Sequence, residues 1–169
     1  MDEKYIAFLD VFELDDNTAF RGGCLVTDLD TRPVEFRCTA AIRPTDLQRM
    51  LYGKKLMDYV CNELVGLPII KAMQSKPSLV LVRVPELLRM RSNISMPILL
   101  IETSPEGDIQ RISPAPGFRE EAEAAKTVLK NFSKEEIVEP FARVRNAVEE
   151  AHKQKVGDLK QEKTGGKGK

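Results

Sequence analysis

Asp10 most invites a chemical reading, because it lies inside the apolar run YIAFLDVFEL on the same strand face as Phe8 and Phe12. A charge there must be paired or must ligate something, since an isolated carboxylate is costly to bury. Other chemistries have less to work with. The three cysteines show no CxxC spacing, and the single histidine, His152, stands alone on a charged stretch. Thiolate or imidazole zinc sites and Cys/His or Ser/His nucleophiles therefore lack partners, and a metal in this chain would be held by oxygen. RGGCLVTD (21–28) has the glycines of a phosphate-cradling loop, but such loops follow a strand and open a helix. Gly22 and Gly23 sit inside a strand pattern, where a bulge or the close approach of a neighbouring element is expected. Charge balances over the chain at 26 against 26, yet residues 43–91 hold nine Lys or Arg against four Asp or Glu. This basic middle can attract phosphate, with Arg49, Lys54, Lys55, Arg89 and Arg91 as candidate contacts. A chain neutral overall is not what a dedicated nucleic-acid binder presents, so nucleic acid is a secondary expectation.

What must position these residues is an α/β sheet. Apolar alternation and turn residues predict antiparallel strands at 5–14, 18–28 and 34–42. Pairing Asp28 with Val34 sets Cys24 opposite Cys38, expected as two reduced, buried thiols. RPTDLQRMLYGKKLMDYVCNELVGLP then changes period: Thr45 and Gln48 form a capping box, and Leu47, Leu51, Met57, Val60 and Leu64 recur at helical spacing up to Gly66 and Pro68. Gly53, which costs about 1 kcal/mol against alanine inside a helix, is expected to serve close packing. SLVLVRV (78–84) and PILLIE (97–102) predict a parallel pair buried on both faces, joined by a helical PELLRMRSN. TSPEGDIQRISPAPG reads as a connection. Two helices follow, with seams at Phe118, Ala122, Ala125, Leu129 and Phe132 and at Ile137, Phe141, Val144, Val148 and Ala151. Ser133 and Glu136 cap the second, and Pro140 should kink it or reset its start. The expected organisation is a mixed sheet core over 1–117, a helical hairpin over 118–155 and a disordered Lys/Gly-rich tail over 156–169.

The order β-β-β-α-β-α-β-α-α resembles the ribonuclease H-like fold over residues 5–132, a likeness of topology without a diagnostic motif. The resemblance implies a carboxylate in the first strand and others near the ends of the parallel strands and on the last helix. Together these hold two divalent metals such as Mg²⁺ for phosphodiester cleavage. Asp10, Glu102 and either Glu120 or Glu121 would take those places. Against this, SLVLVRVPE ends in Arg83 and Pro85 with only Glu86 acidic, where a nuclease presents a plain carboxylate. Asp10 also has a structural explanation, a salt bridge to Arg37 or another strand arginine.

The residues favour a non-catalytic interaction or scaffold protein without a cofactor, acting through its last helices, with Val148 and Ala151 as contacts for a protein partner or a second copy. A metal-dependent nuclease, or a nucleic-acid-associated subunit using the basic middle, is the alternative. The acidic N-terminus MDEKYIAFLD and the lack of any apolar run of membrane-spanning length predict a cytoplasmic chain with no membrane contact.

Overall fold

The computed structural model describes residues 4–157. Six strands form one sheet: β1 (Ile6–Leu14), β2 (Ala19–Thr27), β3 (Pro33–Cys38), β4 (Leu79–Val82), β5 (Ile98–Thr103) and β6 (Ile109–Pro114). Their order is β3-β2-β1-β4-β5-β6. β1, β2 and β3 are antiparallel, β1, β4 and β5 run parallel, and β6 returns antiparallel to β5. A first strand flanked by both the antiparallel set and the parallel pair makes this mixed α/β sheet ribonuclease H-like, extended by one edge strand. β1 is central because neither of its faces can meet water: Ile6, Ala7, Phe8 and Leu9 are all fully buried.

The alternating faces of β1 feed two separate cores. Ala7, Leu9 and Val11 pack with Val60, Val65, Ile69, Leu87 and Met90 from the helical segments between β3 and β5. Ile6, Phe8 and Phe12 pack on the opposite side against α4 (Glu120–Leu129) and α5 (Lys134–Lys153). The paired glycines let both layers come close. A Cβ on Gly22 would lie 2.0 Å from Val65 Cγ1, and one on Gly23 would lie 2.5 Å from Val148 Cγ2. Gly22 and Gly23 are therefore packing glycines, and the only register shift in that ladder falls at Val26/Thr27.

Four expectations change. The shift pairs Cys38 with Gly23 and Cys24 with Arg37, so the two thiols do not face each other. Cys24 belongs to the first core while Cys38 packs against the second. The helix after Arg43 is not continuous. Its capping box at Thr45 forms as expected, but α1 (Asp46–Tyr52) stops at Gly53, whose φ of 51° is left-handed and where a Cβ would meet nothing within 4 Å. Conformation, not close packing, explains that glycine. A 3₁₀ turn (Gly53–Lys55), α2 (Leu56–Tyr59), a π-helical stretch (Val60–Gly66) and α3 (Leu67–Ala72) follow, so Pro68 opens a helical piece instead of ending one. The segment between β4 and β5, Pro85–Asn93, is 3₁₀. The connection after β5 contains β6, because Gly107 at φ 91° closes a tight turn and Ile109 and Ile112 reach the second core.

Pro140 lies within α5 without interrupting it, and Ser133 and Glu136 cap the helix as expected. Its far end is tied to the sheet by a buried side chain. Arg21 Nε donates to His152 Nδ1 at 2.8 Å, and its Nη1 donates to the Thr39 and Val156 carbonyls. His152 Nε2 lies 3.0 Å from Asp15 Oδ1. Within the expected tail, Val156 is thus held to the sheet, and residues 158–169 fall outside the described residues. No helix among the described residues is long and apolar enough to cross a membrane.

Candidate nucleic-acid interface

Asp10 stands on β1 just past the last β1–β4 pair, Leu9 with Val82, and faces the α5 layer like Phe8 and Phe12. It is 7% exposed and accepts a hydrogen bond from the Val11 backbone N–H at 2.9 Å. Burial pushes its pKa up to about 6, against the pull of that bond and of the Arg83 and Arg145 charges. The expected bridge to Arg37 does not form, because Arg37 pairs with Glu35 at 2.7 Å on the edge strand. No cation stands within ion-pair distance of Asp10 among the described residues.

The other carboxylates do not join it. Glu102 shares the opposite face of β5 with Ile98 and Leu100, where Arg111 Nε donates to it at 3.2 Å. Glu121 binds Arg91 through both oxygens, at 3.0 and 2.7 Å, fastening the start of α4 to the Pro85–Asn93 segment. Glu120 is exposed on the first turn of α4. A two-metal site needs several acidic oxygens converging on one point. Among the described residues no group of three Asp, Glu, His or Cys side chains is placed to hold a metal ion. The charges that act on Asp10 are those of arginines, so the described residues do not fit the metals that the fold resemblance implies.

The basic candidates divide differently. Arg49 is drawn away, donating to the Asn17 carbonyl at 3.1 Å and lying over the Phe20 ring. Lys54 is exposed on the turn after α1. Lys55, Arg89 and Arg91 converge, although they come from two segments, on a cleft of about 570 Å³. Aromatic rings share it. Tyr52 and Tyr59 are stacked with ring centroids 4.5 Å apart, and the Arg91 guanidinium lies 4.1 Å from the Phe118 centroid. Desolvation and the Tyr59 hydroxyl hold the Tyr52 phenol above its ordinary pKa. Two of the cations are already matched, Arg89 by Asp58 and Arg91 by Glu121. Asn62 joins the cleft walls: its Nδ2 donates to the Asp58 and Glu86 carbonyls at 3.0 Å, and its Oδ1 is buried without a partner among the described residues. Tyr52, Tyr59, Asn62 and Phe118 were not among the sequence candidates. The seven-residue spacing of the tyrosines, two helical turns, was the available signal for one shared face.

No family model matches the chain, and no curated protein matches it. Solved structures do. Endonuclease V from Bacillus subtilis is 13% identical with a TM-score of 0.44, over 60% of this chain and 45% of that one. Human ENDOV is 9% identical with a TM-score of 0.43, over 89% and 86%. Ciona intestinalis endonuclease V, in complex with a 23mer DNA containing an inosine followed by a ribo-adenosine, is 13% identical with a TM-score of 0.37, over 76% and 56%. The chain spans about half the length of the Bacillus and Ciona proteins.

The scaffold reading is corrected. Its docking seam is not free: Val148 is fully buried against Gly23, Phe141 and Val144 lie in the same core, and Ala151 is half-buried where Arg21 and His152 close the helix end.

Proposed function

We propose that this protein binds single-stranded nucleic acid in the cleft between the Tyr52–Glu63 stretch and the Pro85–Asn93 segment. The observation behind the reading is the meeting of Lys55, Arg89 and Arg91 with the Tyr52–Tyr59 stack and Phe118 in one cleft. Rings offer stacking surfaces to any base, worth about 1–3 kcal/mol each, and the cations track phosphates. Because Asp58 and Glu121 already neutralise two of those cations, stacking outweighs charge, and the salt dependence should be shallow. Unpaired bases are needed for stacking, so duplex binds more weakly. A nucleic-acid ligand accords with the cytoplasmic placement expected from the sequence.

Fluorescence anisotropy with labelled single-stranded and duplex oligonucleotides tests this. Tyr59→Ala should weaken single-strand binding about tenfold, in keeping with the removal of one stacking platform. Equal affinity for duplex, or an unchanged Tyr59→Ala variant, would refute it. Cleavage is the second reading, favoured by one observation: the buried Asp10 on the central strand. Incubating the labelled oligonucleotide with Mg²⁺ or Mn²⁺ reads it directly, and product that disappears in Asp10→Asn would establish it.

A further inference from the structure

The mismatch between the fold and its carboxylates points to a site of a different kind. In open sheets with parallel strands, ligands settle beyond the carboxyl ends of the strands, where the strand order reverses. Here that place lies between β1, from which the antiparallel set runs one way, and β4, from which the parallel pair runs the other. Asp10 and Arg83 stand there, each one residue past the Leu9–Val82 pair that ends the β1–β4 ladder. Arg145 joins them from α5.

Both arginines are held in place, Arg83 without an ion pair and Arg145 with one, to the exposed Glu149. The Arg83 guanidinium lies 5.7 Å from the Phe141 centroid and gives one N–H to Thr103 Oγ1 at 3.0 Å. Arg145 lies 4.7 Å from the Phe12 centroid and reaches Glu149 at 3.5 Å. Aromatic faces pre-organise a guanidinium while leaving its edge donors available. Asp10 feels both charges and forms an ion pair with neither among the described residues, so the rings, Thr103 and Glu149 are what hold the two guanidinium groups. Guanidinium forks match phosphate oxygens in pairs, and two forks supply fixed positive charge of the kind a metal ion would otherwise bring to this edge.

We propose that Arg83 and Arg145, beside Asp10 at the carboxyl ends of β1 and β4, form a phosphate-binding notch that takes a nucleic-acid backbone phosphate without a divalent metal. This rests on the nucleic-acid reading of the cleft.

The test is anisotropy with a labelled oligothymidylate on the full chain, in EDTA and in Mg²⁺, for the wild type, the double variant Arg83→Gln/Arg145→Gln and Tyr59→Ala. The expectation is binding of equal strength in EDTA and Mg²⁺. The arginine variant should bind at least about tenfold more weakly, with a salt slope shallower by about 1.4, about 0.7 for each arginine withdrawn from a single strand's phosphates. Both side chains are exposed, and an unchanged circular-dichroism melt confirms a folded variant. Wild-type binding that Tyr59→Ala weakens but the arginine pair does not would overturn the notch and leave the cleft standing. Binding that requires Mg²⁺ would also overturn it. No binding of any oligonucleotide in either buffer would sink both proposals together.

Discussion

The two faces of the sheet are covered in opposite ways. One carries α5, a capped twenty-residue helix whose Ile137, Phe141, Val144 and Val148 are inserted against β1 and β2 so closely that Gly23 has no room for a methyl group. The other carries a helical run broken at Gly53 and again by a π-helical stretch, and its first piece, α1, buries no residue at all. The α5 seam packs closely along β1 and β2, and the smaller cavity on this face, about 300 Å³, lies off that seam between β6, α4 and the start of α5. A broken helix offsets its pieces, and the cleft that holds Tyr52, Lys55 and Tyr59 opens beside the offset. Close packing and an open site are thus divided between the faces, and substitutions should respond accordingly.

The sharpest contrast is expected at Phe141. Its ring meets Phe8 edge to face, with centroids 5.4 Å apart, at the centre of the α5 core. Phe141→Ala should cost about 3–5 kcal/mol of stability, measured from the shift of the denaturant midpoint. A loss below about 1 kcal/mol would mean that α5 is not anchored through this ring, and the comparison between faces would fail.

Asp10 is the exception on the tight face, and pH exposes it. Its folded pKa of about 6 lies above the ordinary aspartate value of 3.8, so the folded protein holds this proton more firmly than the unfolded chain. The stability tied to the group is fully present below the unfolded value, falls as pH rises from there, and is lost above about pH 6. Asp10→Asn keeps an acceptor for the Val11 N–H and removes the buried charge. It should stabilise the fold by about 2–3 kcal/mol near neutral pH and by little near pH 4, as the rise from 3.8 to about 6 requires. Melting curves of both proteins across that range check it. A gain that did not depend on pH would place the cause in packing instead of charge.

Much of the tight face was legible from the sequence, because its signals are local. Strands β1 to β5 follow apolar alternation or runs, and Ser133 with Glu136 announces α5 by hydrogen bonds within one turn, as Thr45 with Gln48 announces the start of α1 on the other face. What was not legible, on either face, is decided at long range. Whether Gly53 packs or turns depends on what stands near it, and nothing does. β6 hides in a run of Pro, Gly and Ser, since an edge strand needs only Ile109 and Ile112 facing inward. The cation candidates Lys55, Arg89 and Arg91 were visible one by one, but Phe118 reaches their cleft from another segment altogether. Arg83 was visible as a departure from the nuclease pattern, and only the sheet order set it beside Asp10.

The smallest effect is expected on α1. Leu47, Met50 and Leu51 are 64%, 77% and 75% exposed, so little apolar surface returns to water when one of them is shortened or made polar. Glutamine is nearly as good a helix former as leucine, which keeps backbone preference out of the measurement. Leu47→Gln and Leu51→Gln should each shift stability by less than about 0.5 kcal/mol. The capping box at Thr45 stays intact in both, so any larger loss must come from contacts these side chains make elsewhere. A cost of about 2 kcal/mol or more, near that of a buried leucine, would mean that α1 folds down onto the protein in solution. The two faces would then be covered alike, and the cleft beside Tyr52 would have to be narrower than its present walls make it.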